Sequence, residues 1–481
     1  MEHKKEQFSE WFTEIIQRAE LADLRYNVKG FVVYLPWSVL TMEKMYDYYE
    51  EELQDKGHLP VWFPIVIPES NFKLEAEHVE GFTPEVFWIT EHGDGEKFEE
   101  RLALRPTSET AMYKMYSLWI RGRSDLPLKR YQRASVYRYE TKATRPFLRS
   151  REFYWLESHN CFATEEEAWA QVREDMEMTE NVIHKIFCIP FIFFQRPEWD
   201  KFPGAVHTFA ADALMPDGKV IQLPSTHLLG QKFSKPFNIK FMDTDGEVKY
   251  VWQTCYGPAI SRIYGAMISI LGDDQGLRLP FELAPIQVII VPIFKDENKE
   301  DIIQFSEKVR NMIKEAGYKV DVDLSDNTPG YKFNHWEMKG VPIRIEIGER
   351  EVKENKVTLA LRTRKGRESV SLEDLLSVLP EKGRVVSDDL RREADEKLAN
   401  AIHDVETMDQ LKEVLEKGGL ARAPLCSIEM DGKECSDWIK HETHGDIRGI
   451  RFGVDEKPKE GQKCIWCGKP AKHLVYIARQ Y

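Results

Sequence analysis

Residues 137–153 read Tyr-Arg-Tyr-Glu-Thr-Lys-Ala-Thr-Arg-Pro-Phe-Leu-Arg-Ser-Arg-Glu-Phe. Arg138 closes an aromatic and β-branched run, Arg149 opens the next, and a basic loop with Lys142 and Arg145 lies between them. Phe153 follows four residues after Arg149. This order suits a triphosphate and a stacked base, because a guanidinium gives paired donors to phosphate oxygens and a ring covers a nucleobase. The segment then reads as a strand–loop–strand clamp on ATP. On residue chemistry alone a surface hairpin held by ion pairs competes with that reading.

Outward from this hairpin, similar short runs recur between residues 30 and 285: Phe31–Leu35, Val61–Ile67, Val86–Ile89, Tyr131–Tyr139, Glu152–Glu157, Lys219–Leu223 and Asn238–Asp243. Their links are too irregular for a βαβ repeat, so residues 1–285 are expected to be α+β, built on a large antiparallel sheet with flanking helices. Residues 1–25 place Phe8, Trp11, Phe12, Ile15, Ile16 and Ala19 at helical spacing, which predicts an amphipathic packing helix. After Pro285 come strand Gln287–Val291, helix Lys299–Ala316, strand Lys319–Asp323, a turn at Pro329–Gly330, strands Ile343–Glu346 and Lys356–Leu361, and a short helix Leu372–Leu379. This predicts a compact α/β unit over 286–383, bounded at Pro380–Gly383. A charged helical stretch, Asp388–Lys417, stopped by Gly418–Gly419, opens a third unit over 384–481.

The 481 residues are 42% hydrophobic and 31% charged, which excludes a mainly disordered or fibrous chain. A net charge of −14 argues against indiscriminate coating of nucleic acid but leaves room for a local basic face. Leu361–Arg367 (LRTRKGR) is one candidate, with a solvated strand end as the alternative. No apolar stretch approaches the ~20 residues that span a bilayer, and Met1–Glu20 lacks a secretion signal's apolar core. A cytoplasmic protein without membrane contact is expected.

A G-x-x-x-x-G-K-[ST] loop, a G-x-S-x-G elbow and an H-E-x-x-H pair are all missing from the sequence. Four of the seven cysteines, Cys426, Cys435, Cys464 and Cys467, fall near the C-terminus. A terminal C-x-x-C plus a second pair supports a closed, structural, tetrahedral zinc site. A redox pair at Cys464/Cys467 is the rival, and His441 or His444 is an alternative ligand.

The hairpin resembles motif 2 of the class II aminoacyl-tRNA synthetases. Val61-Trp62-Phe63-Pro64-Ile65-Val66 resembles motif 1, which in that family forms a homodimer interface, and Ser261-Arg262-Ile263-Tyr264-Gly265-Ala266 resembles motif 3. Leu104–Thr110 (LRPTSET), Arg145–Phe153, Trp155–His159 (WLESH) and Gly272–Leu277 (GDDQGL) are similar to the prolyl-tRNA synthetases. The chain resembles the archaeal/eukaryote-like type, which lacks the bacterial editing insertion between motifs 2 and 3 and adds a zinc-bearing C-terminal domain.

The resemblance implies attachment of L-proline to tRNA(Pro) through a prolyl-adenylate, with Mg2+ accompanying ATP. It implies Arg138 on the α-phosphate and substrate carboxylate, and Arg149 and Arg262 on the outer phosphates. Glu140 would accept from the adenine amino group and Phe153 would stack the base, with Gln222 and Ser225 as further ATP contacts. Thr107 and Glu109 would accept from the proline ammonium, and Trp155, Glu157, His159, Phe209 and His227 would wall its ring. The unit at 286–383 resembles an anticodon-binding domain, in which Glu337 and Arg344 suit guanine edges and Lys365 suits phosphate. Alanine and cysteine differ from proline by little apolar surface, which is compatible with a trans-acting editing protein as partner.

Two departures bear on the pocket. The floor reads Pro224-Ser225-Thr226-His227 where the family usually has Gly-Thr-Ser-His, and the segment before Arg262 is one residue longer than usual. Tyr481 ends the chain as a tyrosine does in the family, either as a docked end or with its carboxylate near the active site. The rivals are a class II synthetase for threonine or another small amino acid, and a non-catalytic paralogue that binds RNA. The retained Arg138, Glu140, Arg149 and Arg262 speak against the paralogue.

Overall fold

The computed structural model of the chain describes residue 4, residues 7–78 and residues 85–481. Part of the helix expected over 1–25 thus lies outside the described residues, and the described helix spans Phe8–Arg18. It buries Phe8, Trp11, Phe12, Ile15 and Ile16, the face that the spacing marks.

The first unit is built on an antiparallel sheet in which Ile192–Gln195, His207–Leu214, Val220–Gly230, Trp252–Gly257, Glu152–Phe162 and Leu128–Tyr137 are successive neighbours. The motif 2 hairpin pairs in register from Leu128↔Cys161 to Tyr137↔Glu152. One face is covered by helices Pro36–Asp55 and Ile260–Leu271, whose Met45, Tyr49, Ile263 and Met267 join the largest core cluster. Residues 154–261 are strands of this sheet, helix Glu165–Thr179 with its closing turn Glu180–His184, a small ribbon of Lys240–Met242 on Val248–Tyr250, and their connections, so no editing domain is inserted between motifs 2 and 3.

The second unit is a five-stranded mixed sheet, Val320–Val322, Val288–Pro292, Ile343–Ile347, Lys356–Leu361 and Glu368–Ser371. Its expected turn at Pro329–Gly330 is instead the start of a helix, Pro329–Lys339. Pro329 occupies the first helical position, where its missing N–H costs nothing, and the Thr328 hydroxyl accepts from Tyr331 N. The expected break at Pro380–Gly383 is also absent, since one helix runs Leu375–Asn400. Gly383 serves packing there: a Cβ would lie 2.5 Å from the Phe281 ring.

The C-terminal strands Leu420–Leu425, His473–Ala478 and Asp446–Arg451 extend the catalytic sheet, through the pairs Ile450↔Gln195 and Arg451↔Phe194. No helix among the described residues is long and apolar enough to cross a membrane.

Candidate active site

The sheet, the loop before helix Glu109–Trp119 and the motif 3 helix enclose a cavity of about 700 Å3. Thr107, Glu109, Arg138, Glu140, Phe153, Trp155, Glu157, His159, Gln222, Ser225, His227 and Arg262 all line it. Positions 153, 155, 157 and 159 follow from strand alternation, which turns every second residue of Glu152–Phe162 to one face.

Two of the three phosphate candidates, Arg138 and Arg262, line the cavity, and Arg149 stands beside it, near Glu140 and Arg262. Arg262 Nε donates to Leu148 O at 3.1 Å, and Arg138 Nε donates to Pro106 O at 3.0 Å. Burial, then the charges of Arg138 and Arg149, press Arg262 down to about 10. Arg149 stands 3.9 Å from the Glu140 carboxylate. The motif 3 helix places Arg262 and Gly265 one turn apart, and both meet the motif 2 loop: a Cβ on Gly265 would approach Leu148 to 2.7 Å and Phe147 to 2.9 Å. In the segment before Arg262, Pro258 O accepts from Leu156 N at 3.0 Å, two residues ahead of the motif 3 helix.

The amino-acid end is a dense polar cluster. Glu157 accepts from Ser108 N (3.0 Å), Ser108 Oγ (2.6 Å) and Gln132 Nε2 (3.1 Å), and Thr107 donates to Glu109. Burial alone would raise the Glu157 pKa, but His159 and the Ser108 and Gln132 donors outweigh it and hold the carboxyl low. His159 is raised in turn, because Glu157 and Glu109 overcome its own desolvation. The opposite holds for His227, which burial and then the charges of His159 and Arg196 press to about 3. Phe202 N donates to Thr208 Oγ1 at 2.8 Å, so the Thr208 hydroxyl proton is free for His227 Nδ1 at 2.9 Å, and His227 Nε2–H is left facing Ser225 Oγ at 3.2 Å.

The Pro224 floor is a β-bulge. The register moves from Ala210↔Ser225 to Asp212↔Gln222, so Leu223 and Pro224 oppose Ala211 alone. Residues three apart in a regular strand face opposite sides, and the bulge brings Gln222 and Ser225 into the same cavity. Thr226 points to the other side, donating to buried Asp175 at 2.6 Å.

Phe209 is not a wall of the cavity. It is fully buried on the opposite sheet face against Trp169 and Phe452, with ring centroids 5.9 and 4.5 Å away. On its strand Thr208 takes the inward place, so the expectation failed by one residue of alternation. Residues that the motifs do not mark also line the cavity: Arg196, Thr208, Arg448 and Gln480. Tyr481 docks beside them, its N–H on Val220 O at 3.1 Å and its hydroxyl on Asp217 Oδ2 at 2.9 Å.

A second cavity, about 580 Å3, gathers Glu337, Arg344 and Lys365. Arg344 donates to Glu337 (2.9 Å) and Glu346 (3.0 Å) and lies over the Phe333 ring at 4.0 Å. In the basic loop Arg362, Arg364 and Arg367 are held by Asp273, Asp389 and Glu346 respectively.

The sulfurs of Cys426, Cys435, Cys464 and Cys467 lie within 4.8 Å of one another, and Cys426 and Cys435 are 3.7 Å apart. Thiolates around a tetrahedral zinc at ~2.3 Å stand about 3.8 Å apart, so the donor set fits that ion, and all four are free thiols rather than disulfides. His441 is turned to solvent beside Trp438 and Glu442, and His444 ends its helix in the left-handed region, φ 57°.

An antiparallel sheet with a motif 2 clamp and a motif 3 arginine over one cavity defines a class II aminoacyl-tRNA synthetase. Residues 87–271 match the family "tRNA synthetase class II core domain (G, H, P, S and T)", 287–382 match "Anticodon binding domain", and 408–481 match "Prolyl-tRNA synthetase, C-terminal". The chain belongs to the proline–tRNA ligases, of the archaeal/eukaryote-like type. It is 51% identical to the proline–tRNA ligase of Thermofilum pendens, over 99% of this chain and 98% of that one. It is 42% identical to that of Pyrococcus horikoshii, again over 99% and 98%. In structure it is similar to the Giardia lamblia prolyl-tRNA synthetase in complex with prolyl-adenylate (TM-score 0.95, 34% identity, 99% of each chain). It is likewise similar to the Cryptosporidium parvum enzyme complexed with halofuginone and AMPPNP (TM-score 0.93, 33% identity, 99% and 98%).

Proposed function

We propose that the 700 Å3 cavity joins L-proline to tRNA(Pro) in two steps, and that Arg138, Arg149 and Arg262 together carry the first. A proline carboxylate oxygen attacks the α-phosphorus of ATP, the bond to the bridging oxygen breaks, and pyrophosphate leaves in line. A terminal ribose hydroxyl of tRNA(Pro) then attacks the prolyl-adenylate carbonyl, AMP leaves with the bonding pair, and the hydroxyl proton passes to solvent. Two anions meet in the first step, so positioned positive charge and geometry do most of the catalysis. The observation that supports this is geometric: Arg138 and Arg262 line one cavity, with Arg149 close enough for its charge to weigh on Arg262.

Arg138 serves the α-phosphate and the carboxylate, and is the catalytic residue with Arg262. Arg149 and Arg262 hold the outer phosphates. Phe153 stacks adenine, Glu140 accepts from its amino group, and Gln222 and Ser225 contact the nucleotide. Mg2+ bound with ATP would offset further phosphate charge. The Thr107–Glu109 loop accepts from the proline ammonium, and Trp155, Glu157, His159 and His227 wall the ring. His227, held neutral by burial, adds no charge of its own to that wall, and the buried Trp155 Nε1, without a partner among the described residues, offers a donor.

Glu337, Arg344 and Lys365 read the anticodon. The four cysteines hold a structural Zn2+, which would tie the ends of the C-terminal unit together. The units divide at 285/286, and helix Leu375–Asn400 carries the second into the third across the expected 383/384 boundary. A homodimer forms through the motif 1 stretch, which the exposure of Trp62 (92%) supports. The protein works in the cytoplasm, with a trans-acting editing protein removing misacylated tRNA. ATP–pyrophosphate exchange with each of the twenty amino acids, then aminoacylation of unfractionated tRNA, tests the reading. Proline alone should stimulate strongly; stimulation by another amino acid and not by proline overturns it.

A further inference from the structure

One wall of the cavity is a buried charge relay that crosses from the C-terminal unit to the nucleotide side. Arg196, Asp212 and Arg448 are 4%, 1% and 3% exposed. Asp212 accepts from Arg196 Nη1 (2.9 Å) and Nη2 (2.7 Å), and from Arg448 Nε (2.7 Å) and Nη2 (3.3 Å). Arg196 Nη1 also donates to the Arg448 carbonyl at 2.8 Å, and Arg448 Nη1 donates to Gln480 Oε1. Arg196 Nε stands 3.9 Å from Asp200 Oδ2, and a further contact points into the site: Arg196 Nη2 donates to Gln222 Oε1 at 3.0 Å.

A guanidinium has donors only, so this contact fixes the Gln222 amide, with its carbonyl on Arg196 and its NH2 left for a ligand. With guanidiniums on the phosphates and Phe153 and Glu140 on the base, the part of ATP left for an N–H donor is the ribose. We propose that Arg448 is a positioning residue for the nucleotide: by clamping Asp212 it holds Arg196, and Arg196 aims the Gln222 amide at the ribose hydroxyls. This role rests on Gln222 being a nucleotide contact. The C-terminal unit thereby completes the ATP site, and the sheet pairing Ile450↔Gln195 keeps Arg448 in reach of Arg196.

The test uses the full-length protein in proline-dependent ATP–pyrophosphate exchange, with ATP, 2′-deoxyATP and 3′-deoxyATP. Arg448→Met leaves Asp212 paired with Arg196, so it strands no buried charge. It should raise KM for ATP about tenfold while KM for proline moves less than about twofold, and should shrink the penalty the wild type pays for a missing hydroxyl. Arg448→Lys should recover part of the loss, and carries the test should Arg448→Met fail to fold. Gln222→Ala should reproduce the Arg448→Met pattern. If Gln222→Ala raises KM for ATP but both Arg448 variants leave the deoxy penalties unchanged, Arg448 is only a strut and the proposal falls. If Gln222→Ala leaves KM for ATP unchanged, the nucleotide role of Gln222 falls and the proposal with it.

Discussion

Arg262 is held against its own preference. Burial and two neighbouring cations disfavour its charge, Glu140 offsets part of that cost, and an anion bound in the cavity offsets more. Arg262→Met should therefore leave the unliganded protein as stable as before or more so, while raising KM for ATP on the order of a hundredfold. Differential scanning fluorimetry with and without ATP checks this: the wild-type shift should vanish in the variant. A pH effect belongs to Asp175, which burial raises from 3.8 to about 7 against the Thr226 and Gln171 hydrogen bonds. Its folded pKa exceeds its unfolded one, so its contribution to stability is full below about 3.8 and is lost as pH rises through about 7. Asp175→Asn should flatten the stability profile across that window in urea titrations. An unchanged profile would show that the carboxyl ionises without cost.

At the scale of elements, two local devices shape the site. The bulge at Leu223–Pro224 turns Gln222 and Ser225 inward together, and Gly265 lets the motif 2 loop rest on the motif 3 helix. Gly265→Val forces Leu148 and Phe147 away, which should cost about 1–3 kcal/mol of stability and raise KM for ATP more than KM for proline. Steady-state exchange kinetics and denaturant unfolding measure both. The strand-borne site residues at 153, 155, 157 and 159 were legible because motif residues at i, i+2, i+4 share a face. Phe209 was not, because nothing in its neighbours sets the parity of the strand, and Thr208 took the inward place. Pro329 and Gly383 misled for a related reason: proline and glycine punctuate a chain locally, but a capped first turn and a ring packed on a helix backbone use them inside elements.

At the scale of the molecule, the C-terminal unit extends the catalytic sheet and reaches the cavity through Arg448 and Gln480. Arg448 lies more than two hundred positions from Arg196 and Asp212, and such contacts leave no periodic trace, so this trio was invisible where the arginine-bearing motifs were plain. The four-cysteine set was legible from its spacing, and if it holds the proposed zinc, a chelator or Cys464→Ser should lower the thermal midpoint and release about one zinc per chain by metal analysis. Trp62→Glu should halve the mass in sedimentation, since an exposed ring of that size is expected to pack on a second copy. Glu337→Ala should raise KM for tRNA while leaving pyrophosphate exchange intact, which separates the two cavities.

The clamp itself is tested by Arg138→Ala in proline-dependent ATP–pyrophosphate exchange, with circular dichroism confirming an unchanged fold. The rate should fall on the order of a hundredfold or more. Exchange close to the wild-type rate would mean that the guanidiniums meeting in this cavity do not act on one nucleotide.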